Sequence, residues 1–93
     1  MARYELMVIL ESSVVDEEVP EAVEKLQNLI TEQGGTDEDV EVQGRRRLAY
    51  PIRKQNDGTL VLSHFDMAPD KVPGLETGLR MEQQIVRNLL LRL

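Results

Sequence analysis

An α+β fold with the strand order βαββαβ follows from three features of this 93-residue sequence. Four segments alternate apolar and polar residues with a period of two. Two others repeat apolar residues at helical spacing. Glycine- and proline-containing stretches punctuate the boundaries between them.

The first strand covers residues 3–11. Tyr4, Leu6, Val8 and Leu10 form one face, and Arg3, Glu5, Met7, Ile9 and Glu11 the other. The second face is partly apolar, which is expected where something covers it. Residues 17–33 change period: Val19, Ala22, Val23, Leu26, Leu29 and Ile30 fall on one helical stripe. Pro20 belongs in the first turn, where its missing N–H costs nothing. The acidic residues around it suit the helix dipole. Gly34-Gly35 ends the helix, with one glycine left-handed. Residues 36–53 read as one long strand, in which Gly44 marks a bulge or bend and Pro51 an edge position. Gln55-Asn56-Asp57-Gly58 has turn chemistry, so a hairpin is expected with residues 59–68 as its returning arm. A second helix follows, with Asp70 as N-cap and Val72, Leu75 and Leu79 inward. Gly74 and Gly78 each cost it about 1 kcal/mol relative to alanine. Residues 85–93 form the last strand. The expected result is a ferredoxin-like, four-stranded antiparallel sheet in one domain over residues 1–93. Two helices cover one face, and the first and third strands are central.

Composition narrows the function. There is no cysteine or tryptophan, one phenylalanine and one histidine. The core is therefore aliphatic, and neither disulfide nor thiolate chemistry is available. The opening residues read at once as strand rather than as a secretory leader. No apolar run is long enough to span a membrane. Catalysis has no foothold: His64 stands alone, no cysteine–histidine set exists for zinc, and no glycine-rich phosphate loop opens a helix. Asp37-Glu38-Asp39 lacks calcium-loop spacing and reads as a solvated acidic turn. No cofactor and no metal are expected.

Charge is unevenly distributed. The net charge is −6, yet residues 1–44 carry 12 acidic and 2 basic side chains, and residues 45–93 carry 5 acidic and 9 basic. Five of the eleven basic residues lie between Gly44 and Lys54. A basic segment on an acidic body points to contact with a polyanion. The competing reading is a solvated, arginine-bearing strand.

That segment, Gly44-Arg45-Arg46-Arg47-Leu48-Ala49-Tyr50-Pro51-Ile52-Arg53-Lys54, resembles the signature of the bacterial small-subunit ribosomal protein six family. Arg3-Tyr4-Glu5-Leu6-Met7-Val8-Ile9-Leu10 is similar to that family's first strand. Gly34-Gly35, Gly58 and Leu79-Arg80 fall at its spacing, and the similarity runs from residue 2 to about 92 without gaps. The resemblance implies a non-enzymatic, structural component of the cytoplasmic ribosome. It also implies binding to the central domain of small-subunit ribosomal RNA together with small-subunit ribosomal protein eighteen. On the family pattern Tyr4, Leu6, Val8, Val61, Phe65 and Met67 face the helices, leaving Arg3, Met7, Leu60, Leu62, His64, Leu89 and Leu91 on the open face. Tyr50, Leu60, Leu62, His64, Leu89 and Leu91 are the expected partner contacts. Arg3, Arg45, Arg46, Arg47, Arg80, Arg87 and Arg92 are the expected RNA contacts, because the guanidinium fork grips phosphate and stacks on bases. The open face lacks the paired aromatics that stack bases on RNA-recognition sheets. Two departures stand out: the family usually carries a polar tail beyond the last strand, and Asn88 falls where alternation with Leu90 puts a core side chain. The alternative reading is a ferredoxin-like protein-interaction or oligomerisation module that does not bind RNA.

Overall fold

The computed structural model describes the backbone of residues 1–52 and 55–93 and the side chains of residues 1–47 and 57–93. Strand β1 (Ala2–Leu10) leads through a 3-10 turn (Asp16–Glu18) into helix α1 (Val19–Glu32). Strands β2 (Thr36–Ile52) and β3 (Gln55–Met67) form a long hairpin. A second 3-10 turn (Pro69–Lys71) opens helix α2 (Val72–Met81), and β4 (Ile85–Arg92) completes the sheet. The strand order is β2-β3-β1-β4, with every neighbouring pair antiparallel. This is the ferredoxin-like arrangement, with β1 and β3 central as expected.

Strict alternation along β1 and β3 sorts the two faces. Leu6, Val8, Val61, Phe65 and Met67 are all 0–1% exposed. Helix α1 adds Val19, Ala22, Leu26 and Ile30 to this core, and α2 adds Leu75 and Leu79. Burying each Val, Leu, Ile, Met or Phe side chain among these contributes about 1.5–3 kcal/mol. Tyr4 and Phe65 oppose each other across β1 and β3 with ring centroids 5.9 Å apart.

Several boundaries follow the residues that set them. The Gly35 N–H donates to the Ile30 carbonyl and the Gly34 N–H to that of Thr31, with Gly34 at φ 81°. These two bonds make a Schellman cap and satisfy carbonyls that the ending helix leaves free. At Gly44 the β2–β3 register shifts and φ is 94°, so the expected bulge is present. β2 is an edge strand, as Pro51 suggested.

Three expectations need correction. Gln55 to Gly58 belong to β3, with Gln55 paired to Ile52, and form no turn. Gly58 is needed there for another reason. A Cβ on it would lie 2.6 Å from the Leu10 carbonyl oxygen and 2.6 Å from Ile9 Cγ2, so β3 approaches β1 too closely for a side chain. Asp70 is not an N-cap: it sits inside the 3-10 turn, Lys71 takes the cap position and Pro73 falls in the first turn of α2. Asn88 does lie on the helix-side face, opposite Val8, but β4 is an edge strand and leaves it half-buried. A bulge opposite Ile9 and Leu10 shifts the parity of β4, so Ile85 and Leu90 both reach the core side although one number is odd and the other even.

Candidate functional site

The sheet face turned away from the helices holds the residues of interest. Cross-strand pairing arranges them in rows. Leu89, Met7 and Leu62 form one row, and Arg87, Ile9 and Leu60 the next. Met7, Ile9, Leu60 and Leu62 are half-buried, while Leu89 and Leu91 are each 44% exposed. Among the described residues, no element packs over them. A small domain rarely leaves large contiguous apolar surface exposed. Beside β4 this face dips into a shallow depression of about 240 Å³ lined by Met7, Ile9, Arg87, Asn88 and Leu89.

A polar row borders this patch. His64 Nε2 lies 3.0 Å from Glu5 Oε1, and both side chains are about a quarter exposed. They are directly opposed on β3 and β1, which aligns the pair. Asp39 stands across from His64 on β2, and Glu41 across from Leu62. Both carboxylates are exposed, with no partner among the described residues.

The seven arginines expected to contact RNA separate into different settings. Arg3 is held within the fold. Its Nη1 donates to the Asp37 carbonyl at 3.1 Å, to the Asp37 carboxylate at 3.0 Å and to Asp66 at 3.2 Å. Asp37 adopts the left-handed conformation, φ 54°, to present both of its oxygens. Aspartate tolerates that region better than most residues do. Arg45 is also engaged: its guanidinium donates to the Ser12 and Val14 carbonyls and to Asp57. It therefore fastens the loop between β1 and α1 to β2. Arg46 and Arg47 are exposed on opposite faces of β2, opposite Gly58 and Asp57. Arg80 lies in the last turn of α2, where it donates to Thr77. Arg92 is exposed on the helix side of β4.

Topology places these side chains at two ends of the sheet. β1 ends and β4 begins where β2 carries its arginine run, and α2 terminates at the same end. Arg45, Arg46, Arg47, Arg80 and Arg87 gather there. Arg3 and Arg92 lie at the opposite end, beside the acidic start of β2. Leu60, Leu62, His64, Leu89 and Leu91 share the open face, as expected. Tyr50 falls among residues 48–56 and lies outside the described side chains. Alternation along β1 put Ile9 on this face, although it was not among the expected contacts. The pairing of Glu5 with His64 and the Asp39–Glu41 rim were missing from the sequence reading and needed the cross-strand register.

Among the described residues, no three histidine, aspartate or glutamate side chains converge as metal ligands. No helix is long and apolar enough to cross a membrane. The open face is an apolar patch with Arg46 and Arg87 at one end and Asp39 and Glu41 along its β2 border.

Comparison with known proteins shows the family. The family model for ribosomal protein S6 matches residues 3–92. "Small ribosomal subunit protein bS6" of Trichormus variabilis is 39% identical over 96% of this chain and 82% of its own length. That of an Arthrobacter species is 39% identical over 99% of this chain and 91% of its own. The crystal structure of 30S ribosomal protein S6 from Thermotoga maritima superposes with a TM-score of 0.92, at 31% identity, over 99% of this chain and 87% of that one. A further Arabidopsis thaliana structure, 11% identical with a TM-score of 0.61, shares the fold alone. The chain belongs to the ribosomal protein S6 family, whose members are structural proteins rather than enzymes.

Proposed function

We propose that this chain is a structural constituent of the small ribosomal subunit that binds the central domain of its RNA together with ribosomal protein eighteen. The observation that carries this reading is the full-length family match, combined with an apolar sheet face that the fold leaves uncovered. The open face takes the protein partner through Leu60, Leu62, His64, Leu89 and Leu91, with Tyr50 expected to join them. Arg46, Arg47, Arg80, Arg87 and Arg92 supply phosphate contacts. Arg3 and Arg45 act on RNA less directly, because each already holds part of the fold in place.

The net charge of −6 sets a quantitative demand. Phosphate contacts dominate RNA affinity, so an acidic chain with scattered arginines binds weakly by itself. In a filter-binding titration against central-domain RNA, the isolated chain is expected to bind in about the 10⁻⁴–10⁻⁶ M range of non-specific association. Adding protein eighteen is expected to tighten binding and make it sequence-dependent. Nanomolar binding by the isolated chain would overturn this division of labour. The alternative, an oligomerisation module indifferent to RNA, predicts a homodimer on sizing chromatography and no partner effect.

A further inference from the structure

The open face is electrically lopsided. Its centre is apolar, its far end carries Arg46 and Arg87, and its β2 border carries Asp39 and Glu41. These two carboxylates are exposed and project on the same side as Leu62 and His64, one strand away. The neighbouring acids differ: Asp37 and Asp66 share the Arg3 guanidinium, and Glu5 lies 3.0 Å from His64 Nε2. Only Asp39 and Glu41 on this face remain without a partner among the described residues.

We infer that this acidic border selects and orients the protein docked on the sheet. The occupant has an apolar surface flanked by lysines or arginines, and those cations lie over Asp39 and Glu41 on the first half of β2. The inference rests on the reading of the open face as the site of protein eighteen, and adds to it a polarity and a named pair of carboxylates. The physical basis is complementarity. Covering Leu60, Leu62, Met7 and Leu89 brings a partner within a few ångströms of two carboxylates. A neutral or acidic edge there would strip them of water without replacing it. A basic edge replaces that hydration and speeds encounter by steering. It also repels the RNA backbone from this border, leaving phosphate to the arginine end.

The test is calorimetric titration of the chain with protein eighteen at several salt concentrations. Three variants are compared, each checked for folding by circular dichroism. The double variant Asp39→Lys/Glu41→Lys is expected to lose about tenfold or more in affinity and to flatten the salt dependence. Asp70→Lys/Glu76→Lys makes the same change in net charge on the exposed helix side and is expected to bind as the parent does. Leu62→Glu places a charge in the apolar centre and is expected to abolish binding. If the border variant binds like the parent while Leu62→Glu does not bind, the acidic-border inference is overturned and the open-face reading survives. Normal binding by Leu62→Glu overturns that reading, and the inference with it. Equal losses in the border and helix-side variants show that net charge acts alone, which also overturns the inference. A parent chain that sizes as a dimer and becomes monomeric on Leu62→Glu assigns the face to a second copy instead.

Discussion

Single residues in this fold are chosen by what surrounds them more than by their own propensity. Gly58 follows Asn56-Asp57 and looks like a turn glycine, yet it lies within β3 because the Leu10 carbonyl leaves no room for a Cβ. Gly58→Ala is expected to destabilise the protein by about 1–3 kcal/mol in urea unfolding, since the backbone atom it meets cannot step aside as a side chain can. Ser63 is the reverse case. Its hydroxyl is fully buried on the helix side of β3 without a hydrogen-bond partner. An unmade buried hydrogen bond costs about 1–3 kcal/mol. Ser63→Ala is therefore expected to leave the unfolding midpoint unchanged or raised; a loss above 1 kcal/mol would show that the hydroxyl is bonded in solution. Arg45 belongs to a third kind, a charged residue of the basic run that is engaged with two carbonyls and a carboxylate. Arg45→Ala is expected to cost roughly 1 kcal/mol and to speed proteolysis or amide exchange in residues 11–15, an effect that a residue serving RNA alone would not show.

The two helices differ in how much they carry. Helix α1 has 14 residues, four buried residues and a complete Schellman cap, whereas α2 has 10 residues, two buried leucines and two glycines. The glycines of α2 have a packing reason: a Cβ at Gly78 would reach 2.9 Å from Leu29 Cδ2, so their absence of side chain lets the helices approach. The backbone entropy of two glycines still weakens the helix. Amides in residues 72–80 are expected to exchange faster than those in residues 20–32; the opposite order would show that helix–helix packing outweighs propensity. Among the strands, the identity of each was legible from period-two alternation, because one buried face forces that pattern. What alternation hid was the bulge at the start of β4, which reverses parity between Ile85 and Arg87; Asn88 keeps the helix-side facing that alternation gives it, and the edge position of β4 leaves it half-buried. The hairpin's turn was misplaced for a related reason: local turn propensity at 56–58 was overridden by pairing with Arg46 and Arg47.

Across the molecule, the sheet divides two tasks between its faces. The helix side holds an aliphatic core in which Leu6, Ile30, Phe65, Leu75 and Leu79 are at most 1% exposed. Leu6→Ala is expected to cost about 2–5 kcal/mol, a large fraction of the stability of a domain this small. On the proposed function the open face uses its leucines to hold a partner, so Leu62→Ala is expected to cost far less in stability than Leu6→Ala, and more in partner affinity. Equal stability losses for the two would contradict this division.

The sequence by itself determined the element order, the edge role of β2, the bulge at Gly44 and the two-sided character of the sheet. Each of these is written in periodicity or in residues with unusual backbone freedom, and such signals are local. It also carried the family, through a match that runs the length of the chain. The use of each charge was decided only by the tertiary structure. Arg3 and Arg45 read identically to Arg46 and Arg47 in a list of basic residues, but the fold brings carboxylates and carbonyls to the first two and leaves the others exposed. Likewise Asp39 and Glu41 acquire a role only when register sets them beside Leu62 and His64. The energy of a charge depends on neighbours a few ångströms away, and those neighbours come from strands distant in the chain.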